Sequence, residues 1–338
     1  MKQALNRQVC LIARPIGIPQ ASDFEIRTTP VSDLQDGQIC VRNVYLSVEP
    51  AMRGWVNALG NYSEPVAIGS VMRSFAVGIV EASRSINFPV NSWVTGLFGW
   101  QEYAVVDADK VDRIITESDL PPSTALGVLG INGITAHYGL LKIGEPQAGE
   151  TVVVSTAAGA VGSCVGQIAK LKNCRTIGIT GGEKKRKLCL DHFGFDEAVD
   201  YKATDFHQKL SEACAGGVDV YFDNTSGEIS DAVFSHLNIG ARVIICGTAS
   251  VSNWNPPPQG PRIERQLLVK RARMQGFVIF DHRDYEASAR QDLAKWLRNG
   301  DIRYQEDILV GIEQAPDAIA GLYRGDNLGK RLIRISNF

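Results

Sequence analysis

Thr151-Val152-Val153-Val154-Ser155-Thr156-Ala157-Ala158-Gly159-Ala160-Val161-Gly162 is the stretch that decides the fold. Thr151–Ser155 is short, apolar and β-branched, which predicts a buried strand. Beyond it Val161, Val165, Ile168 and Ala169 recur on one helical face and predict a helix. The turn between them matches G-x-G-x-x-G with Ala157 in the first glycine slot. Gly159 lets the backbone approach a pyrophosphate, and Gly162 lets the helix pack close to the strand. The N-terminus of that helix offers unpaired N–H groups and a positive dipole end to phosphates. A plain tight strand–helix turn has the same look. The strand before it, the helix after it and the alternation that follows favour the dinucleotide reading.

Downstream the same rhythm repeats. Strand Thr176–Thr180, a helix to about His192, strand Glu197–Asp200, a helix around Asp205–Cys214, strand Val218–Phe222, a helix near Glu228–Leu237 and strand Arg242–Cys246 follow in turn. Such alternation predicts a parallel sheet covered by helices on both faces. After a proline-rich loop, Asn255-Pro256-Pro257-Pro258, a further strand is read at Gln275–Phe280 and a helix at Asp284–Asn299, stopped by Gly300. Upstream, short runs at Val9–Ala13, Phe24–Thr28, Ile39–Leu46, Val77–Glu81, Trp93–Leu97 and Tyr103–Val106 read as a β-rich barrel or sandwich. The tail Asp301–Phe338 again reads as short strands. No internal repeat or low-complexity tract interrupts the chain.

Composition narrows the function. The 338 residues suit roughly two domains. Net charge is −2, which argues against nucleic-acid binding through bulk positive charge. No run approaches the roughly 18 apolar residues of a membrane span, and Met1–Gln8 lacks the apolar core of a secretory signal. The expectation is a cytoplasmic protein with neither nucleic-acid nor membrane partners. Seven cysteines are scattered, the closest pair being Cys164 and Cys174, which reads as reduced thiols. None of the five histidines precedes His137. Metal sites need clustered ligands, so no metal is expected.

Three more motifs carry chemistry. About 20 residues past the glycine-rich turn an NAD site places an acid for the ribose hydroxyls. Here Thr180-Gly181-Gly182 stands instead, followed by Glu183 and then Lys184-Lys185-Arg186-Lys187. Cations there suit a 2′-phosphate and favour NADPH; a solvated basic helix face is the other reading. Gly325-Asp326-Asn327-Leu328-Gly329-Lys330 reads by itself as a glycine-rich turn before strand Arg331–Ile335, with Asn327 a left-handed turn residue. In Tyr45-Leu46-Ser47-Val48-Glu49-Pro50-Ala51-Met52-Arg53-Gly54-Trp55, Tyr45 ends a strand run. It reads equally as a phenolic donor and as a half-buried strand tyrosine.

Together these segments resemble the medium-chain dehydrogenase/reductase superfamily. The likeness is strongest to its zinc-free branch of prostaglandin reductases (leukotriene B4 12-hydroxydehydrogenases), alkenal double-bond reductases and curcumin reductases. The markers are Tyr45–Gly54, Gly127–Gly130 with Gly133–Ala136, Ala157–Gln167, Asp219–Asn224, Arg273–Val278 and Gly325–Lys330. The resemblance implies an α/β protein: a GroES-like β-rich barrel domain, 1–124 and 301–338, and a Rossmann doubly wound parallel-sheet domain, 125–300. It implies NADPH-dependent reduction of a carbon–carbon double bond conjugated to a carbonyl, and a homodimer joined near Gln275–Phe280. It places Lys185 and Tyr201 on the 2′-phosphate, Asn327 beside the nicotinamide and Tyr45 as the active-site tyrosine. The cofactor-binding set is completed by Ala158, Gly159, Ala160, Val161, Gly162, Gly182, Asn224, Cys246, Gly247 and Phe277.

Some positions depart from the branch. Ala51 stands where many relatives carry Tyr, His137-Tyr138 replaces Tyr-Phe, Thr225-Ser226 replaces Val-Gly, and Val269 replaces a second pocket tyrosine of the plant enzymes. A quinone reductase, or an NADPH-binding protein without turnover, are the competing functions.

Overall fold

In the computed structural model, residues 4–58, 61–250, 256 and 258–337 are described. Asn255 and Pro257 of the proline-rich loop, and Met1–Gln3, lie outside them. The strands in chain order are β1 (Leu5–Leu11), β2 (Phe24–Pro30), β3 (Gln38–Ser47), β4 (Ala76–Ser83), β5 (Trp93–Gly96), β6 (Tyr103–Asp107), β7 (Val111–Ile114), β8 (Thr151–Ser155), β9 (Arg175–Thr180), β10 (Glu197–Asp200), β11 (Val218–Asp223), β12 (Leu237–Ile245), β13 (Arg273–Gly276), β14 (Glu306–Val310) and β15 (Lys330–Arg334). The α-helices are α1 (Met52–Trp55), α2 (Ile131–Tyr138), α3 (Ala160–Leu171), α4 (Glu183–Lys187), α5 (Phe206–Ala213), α6 (Gly227–Phe234), α7 (Glu264–Lys270), α8 (Glu286–Asn299) and α9 (Ala315–Arg324).

The chain divides into two units, Met1–Leu126 with Glu306–Phe338, and Gly127–Gln305. Residues just after α8 stay with the second unit because Gln167 of α3 clamps them. Its amide donates to the Arg303 carbonyl at 2.9 Å, and its Oε1 accepts from the Arg303 N–H at 2.7 Å.

In the first unit β1 and β2 form an antiparallel pair. The remaining strands form a sheet ordered β14-β15-β3-β4-β5-β7, with β6 also on β3. Leu11, Ile39, Val41, Leu46, Met52, Trp100, Ile319 and Ile333 are among the fully buried side chains of its core. The tail is not made of strands alone. β14 and β15 are parallel, and such a pair needs a crossover. α9 supplies it, with proline in its first turn and Gly325 (φ 82°) as its left-handed C-cap. Lys330, 4% exposed, ties β15 to β3: its ammonium donates to Ser47 Oγ (2.7 Å), Glu49 Oε1 (2.6 Å) and the Val48 carbonyl (3.1 Å). All three N–H donors of a buried lysine are thereby used. Burial lowers the Lys330 pKa and the neighbouring Glu49 opposes that.

The second unit is a six-stranded parallel sheet ordered β10-β9-β8-β11-β12-β13, with a helix, α3 to α7, in each successive crossover. β8 is wholly buried and β9 nearly so, which requires cover on both faces. The order grows outward in both directions from β8, so the topological switch point lies between β8 and β11. The last strand differs from the expected Gln275–Phe280. Its ladder on β12 runs from Arg242↔Arg273 to Ile245↔Gly276 and ends where β12 ends. Phe277 and Val278 therefore leave the sheet, and Ile279–Tyr285 coils into helical turns.

Candidate active site

The glycine-rich turn follows β8 directly. Thr156 takes the left-handed conformation (φ 55°), Ala157 is fully buried, and Gly159 caps α3 in an extended conformation. A Cβ on Gly162 would sit 2.3 Å from the Thr156 carbonyl oxygen, so only glycine allows α3 to start this close to the strand. Ala158 and Gly159 lead into α3, and Ala160, Val161 and Gly162 form its first turn, the kind of helix N-terminus that suits a pyrophosphate. This cradle, open only because two of its positions lack a side chain, fits a dinucleotide.

The adjoining strand ends gather the other residues of the second unit. After β9, Gly182 (φ 88°) caps α4, a conformation that glycine adopts without strain. Its N–H donates to Asp200 Oδ1 at 2.8 Å, and the Lys202 N–H reaches the same oxygen at 2.9 Å. Asp200, at the end of β10, is thereby occupied. Glu183 is likewise engaged by Arg186 at 2.6 and 2.9 Å. Tyr201, 41% exposed, follows β10, and its ring lies where a Cβ on Gly181 would come within 2.9 Å. Lys185 is half-buried on α4. Glu183 is ion-paired with Arg186 and one oxygen of Asp200 is taken by backbone N–H groups, while cations and a tyrosine hydroxyl border the corner. That is a setting for an anion rather than for a ribose diol.

At the switch point the Asn224 N–H donates to Ser155 Oγ (2.8 Å), and its side-chain amide donates to the Ser155 carbonyl (2.7 Å). Cys246 and Gly247, just past β12, donate their N–H groups to the Asp223 carbonyl. Phe277, past β13, lies 5.7 Å from the ring of Tyr138. The sequence reading missed the centre of this arrangement. Ser155 and Asp223, 0% and 1% exposed, hold the strand ends together. The signal for them was a carboxylate closing the apolar run Val218–Phe222, where burial demands partners.

Two of the departures have structural consequences here. Ser226 replaces the branch's glycine yet keeps a positive φ of 59°. His137 is buried in α2, stacked on Trp296 and bonded through Nδ1 to the Tyr285 hydroxyl at 2.9 Å.

The first unit holds the two remaining residues. Tyr45 lies within β3, opposite Val77 of β4 and Arg334 of β15. The β3–β4 register shifts between Asn43 and Tyr45, inserting an extra residue on β3. Such a bulge re-aims side chains, so Val44 and Tyr45, although consecutive, share one cluster with Val77, Ala125, Leu126 and Leu332. Burial raises the Tyr45 pKa above the usual tyrosine value. Asn327 is not the left-handed residue of its turn. Gly325 (φ 82°) and Gly329 (φ 78°) are, and the Asn327 amide donates to the Gly329 carbonyl at 2.8 Å. Among the described residues no three His, Cys, Asp or Glu side chains are grouped to hold a metal ion.

The chain is similar to known proteins over nearly its whole length. The family model described as "N-terminal domain of oxidoreductase" matches residues 7–114, and that described as "Zinc-binding dehydrogenase" matches 160–295. The chain is 40% identical to the NADPH-dependent curcumin reductase of Escherichia coli (strain K12), with 98% of this chain and 97% of that protein covered. It is 35% identical to the NADP(+)-dependent 2-alkenal reductase of Nicotiana tabacum, with 99% of each covered. The crystal structure of CurA from Vibrio vulnificus in complex with NADPH superposes with a TM-score of 0.93 at 44% identity, over 98% of this chain and 100% of that one.

Proposed function

The chain belongs to the zinc-free branch of the medium-chain dehydrogenase/reductase superfamily, and from that premise we propose that it reduces the carbon–carbon double bond of α,β-unsaturated ketones and aldehydes with NADPH. It is an NADP-dependent oxidoreductase. The observation that carries the reading is the corner at Gly181–Lys185, where Asp200 is used by two backbone N–H groups and Glu183 by Arg186. Arg186 offsets the charge of Glu183, and Lys185 and Tyr201 border the corner, which supports a 2′-phosphate there. The N-terminus of α3, with Ala158–Gly162, holds the pyrophosphate. Asn224, Cys246, Gly247, Phe277 and Asn327 are assigned to the rest of the cofactor.

NADPH, when bound, supplies the hydride, which goes to the β-carbon of the enone. Negative charge then develops on the carbonyl oxygen, and a preplaced donor lowers the barrier. Tyr45 is the phenol assigned to that task, since a tyrosine hydroxyl carries its proton at neutral pH. It donates a hydrogen bond to the oxygen or delivers the proton to the α-carbon. Conjugation spreads the charge over the enolate, so a hydroxyl donor suffices.

Stopped-flow loss of NADPH absorbance with 2-nonenal, further enones, quinones and simple ketones tests the proposal. Fast oxidation with enones and enals, and slow oxidation with ketones, is the expected pattern. Turnover of quinones alone would make it a quinone reductase. Binding of NADPH without oxidation by any of them would make it a non-catalytic binding protein.

A further inference from the structure

We propose that Asp223 is a positioning residue for the cofactor: its buried carboxylate holds the Asn224–Gly227 turn in a backbone shape that Ser226 would not take alone. The proposal rests on the NADPH reading above and assigns the part of this chain that orders the switch-point side of that site.

Two independent observations carry it. The first is the number of donors that converge on one carboxylate. Oδ1 of Asp223 accepts the N–H groups of Thr225 (2.8 Å) and Ser226 (2.9 Å). It also lies within reach of the hydroxyls of Tyr221 (3.1 Å), Thr225 (3.3 Å) and Ser155 (3.3 Å). Oδ2 accepts from Ser230 Oγ at 2.6 Å. A buried carboxylate is costly unless so satisfied, and here its donors come from β8, β11, α6 and the turn between them.

The second observation is the backbone of Ser226, at φ 59° and ψ −168°. That region is essentially restricted to glycine, and a serine persists there only when its surroundings over-determine it. The Ser226 N–H is fixed by Asp223. From the other side the hydroxyl of Ser250 lies 2.8 Å from the Ser226 carbonyl and 2.7 Å from that of Thr225. The same turn begins with Asn224, which is locked to Ser155, the last residue before the glycine-rich turn. Asp223 thus acts on the cofactor through Asn224 and Ser155, and touches neither cofactor nor substrate itself. Strain at a binding turn held by surrounding bonds is preorganisation.

The turn shape is therefore imposed by the carboxylate rather than permitted by the residue. A glycine in place of Ser226 adopts it without help, which makes the two positions energetically coupled. The test is a double-mutant cycle of Asp223→Asn and Ser226→Gly, read by NADPH fluorescence titration, with KM and kcat measured on 2-nonenal. Asp223→Asn raises the NADPH Kd and KM about tenfold, while kcat at saturating NADPH changes much less. In the Ser226→Gly background the same change costs about threefold or less, because glycine needs no hold to keep a positive φ.

An Asp223→Asn variant with the wild-type Kd overturns the proposal, as does an equal loss in both backgrounds, which is what general weakening of the core produces. If Asp223→Asn does not fold, Ser250→Ala tests the same strain without disturbing the buried charge. It raises the Kd in the Ser226 background and is silent in the Ser226→Gly background, and silence in both overturns the proposal. Wild-type protein that fails to bind NADPH would strike the functional reading itself, a result separate from any of these.

Discussion

Replacing Lys185 with alanine tests its proposed role as the group that tells NADPH from NADH. α4 carries Glu183, Lys184, Lys185, Arg186 and Lys187. Arg186 is committed to Glu183, and Lys184 and Lys187 are exposed, which leaves Lys185 as the half-buried lysine of that helix. Two unit charges 4 Å apart attract by about 1 kcal/mol in bulk water and about 4 kcal/mol at the effective dielectric near a protein surface. Half-burial places Lys185 between these limits. The Debye length of about 8 Å at physiological salt weakens the more distant lysines further. The expected loss of NADPH affinity is about 1.4 to 2.7 kcal/mol, a ten- to hundredfold rise in Kd. NADH lacks the 2′-phosphate, so its Kd changes by less than about twofold on the same argument. Fluorescence titration of both nucleotides, at low and at moderately high salt, gives the two ratios. The NADPH loss shrinks at the higher salt because the interaction is screened. Equal losses for NADPH and NADH would refute the assignment and move Lys185 to a part of the cofactor that both share.

Four further outcomes are expected. Tyr45→Phe lowers enone turnover by roughly tenfold or more with NADPH affinity unchanged; unaltered turnover on several enones would return Tyr45 to packing. Extensive dialysis against a chelator leaves activity intact, and stoichiometric zinc lost together with activity would contradict this. Among the described residues β13 is the last strand of its sheet, an edge that invites a partner, so the protein is expected to be a two-fold homodimer through that strand; a monomer by light scattering at micromolar concentration would count against it. Burial lowers the His137 pKa below its usual 6.5, with Asp292 opposing. The unfolded chain then binds a proton that the folded one resists. This contribution to stability is complete above about pH 6.5 and is lost as the pH falls toward the lower folded value. The wild-type melting temperature should drop more than that of His137→Gln below about pH 6.5, and parallel profiles would exclude the effect.

The nucleotide-binding unit was largely legible because its rules are local. An apolar strand, a glycine turn and a helical stripe fall within Thr151–Leu171, and the alternation repeats from there. What stayed hidden depends on distant partners. The end of β13 is set by where β12 stops, and the residues Phe277–Phe280 look as strand-like as those before them. α9 had its markers, Pro316 near its start and Gly325 after its end, but a short helix between two short strands is easily read as more strand. The bulge that places Val44 and Tyr45 in one cluster exists only in the register with β4. Asp223 and Lys330 looked like ordinary charged residues within motifs. Their burial and their partners, drawn from four segments for Asp223 and from Ser47–Glu49 for Lys330, are properties of the folded chain alone.

The pairing of β15 with β3 bears on how the protein is born. β3 precedes Gly127–Gln305 in the chain, yet its neighbour β15 follows that whole segment and leaves the ribosome after it. The buried ammonium that seals the two together arrives with it. The nucleotide-binding unit is one continuous segment, so it can fold while synthesis proceeds, as domains generally do. The unit that carries Tyr45 must wait, the Tyr45–Ser47 end of β3 lacking its neighbour, until β15 is made. Newly made chains therefore complete the parallel sheet of the second unit before the sheet that holds Tyr45. A ribosome stalled ahead of Lys330 would leave a nascent chain with the parallel sheet of the second unit whole and the sheet of the first unit open.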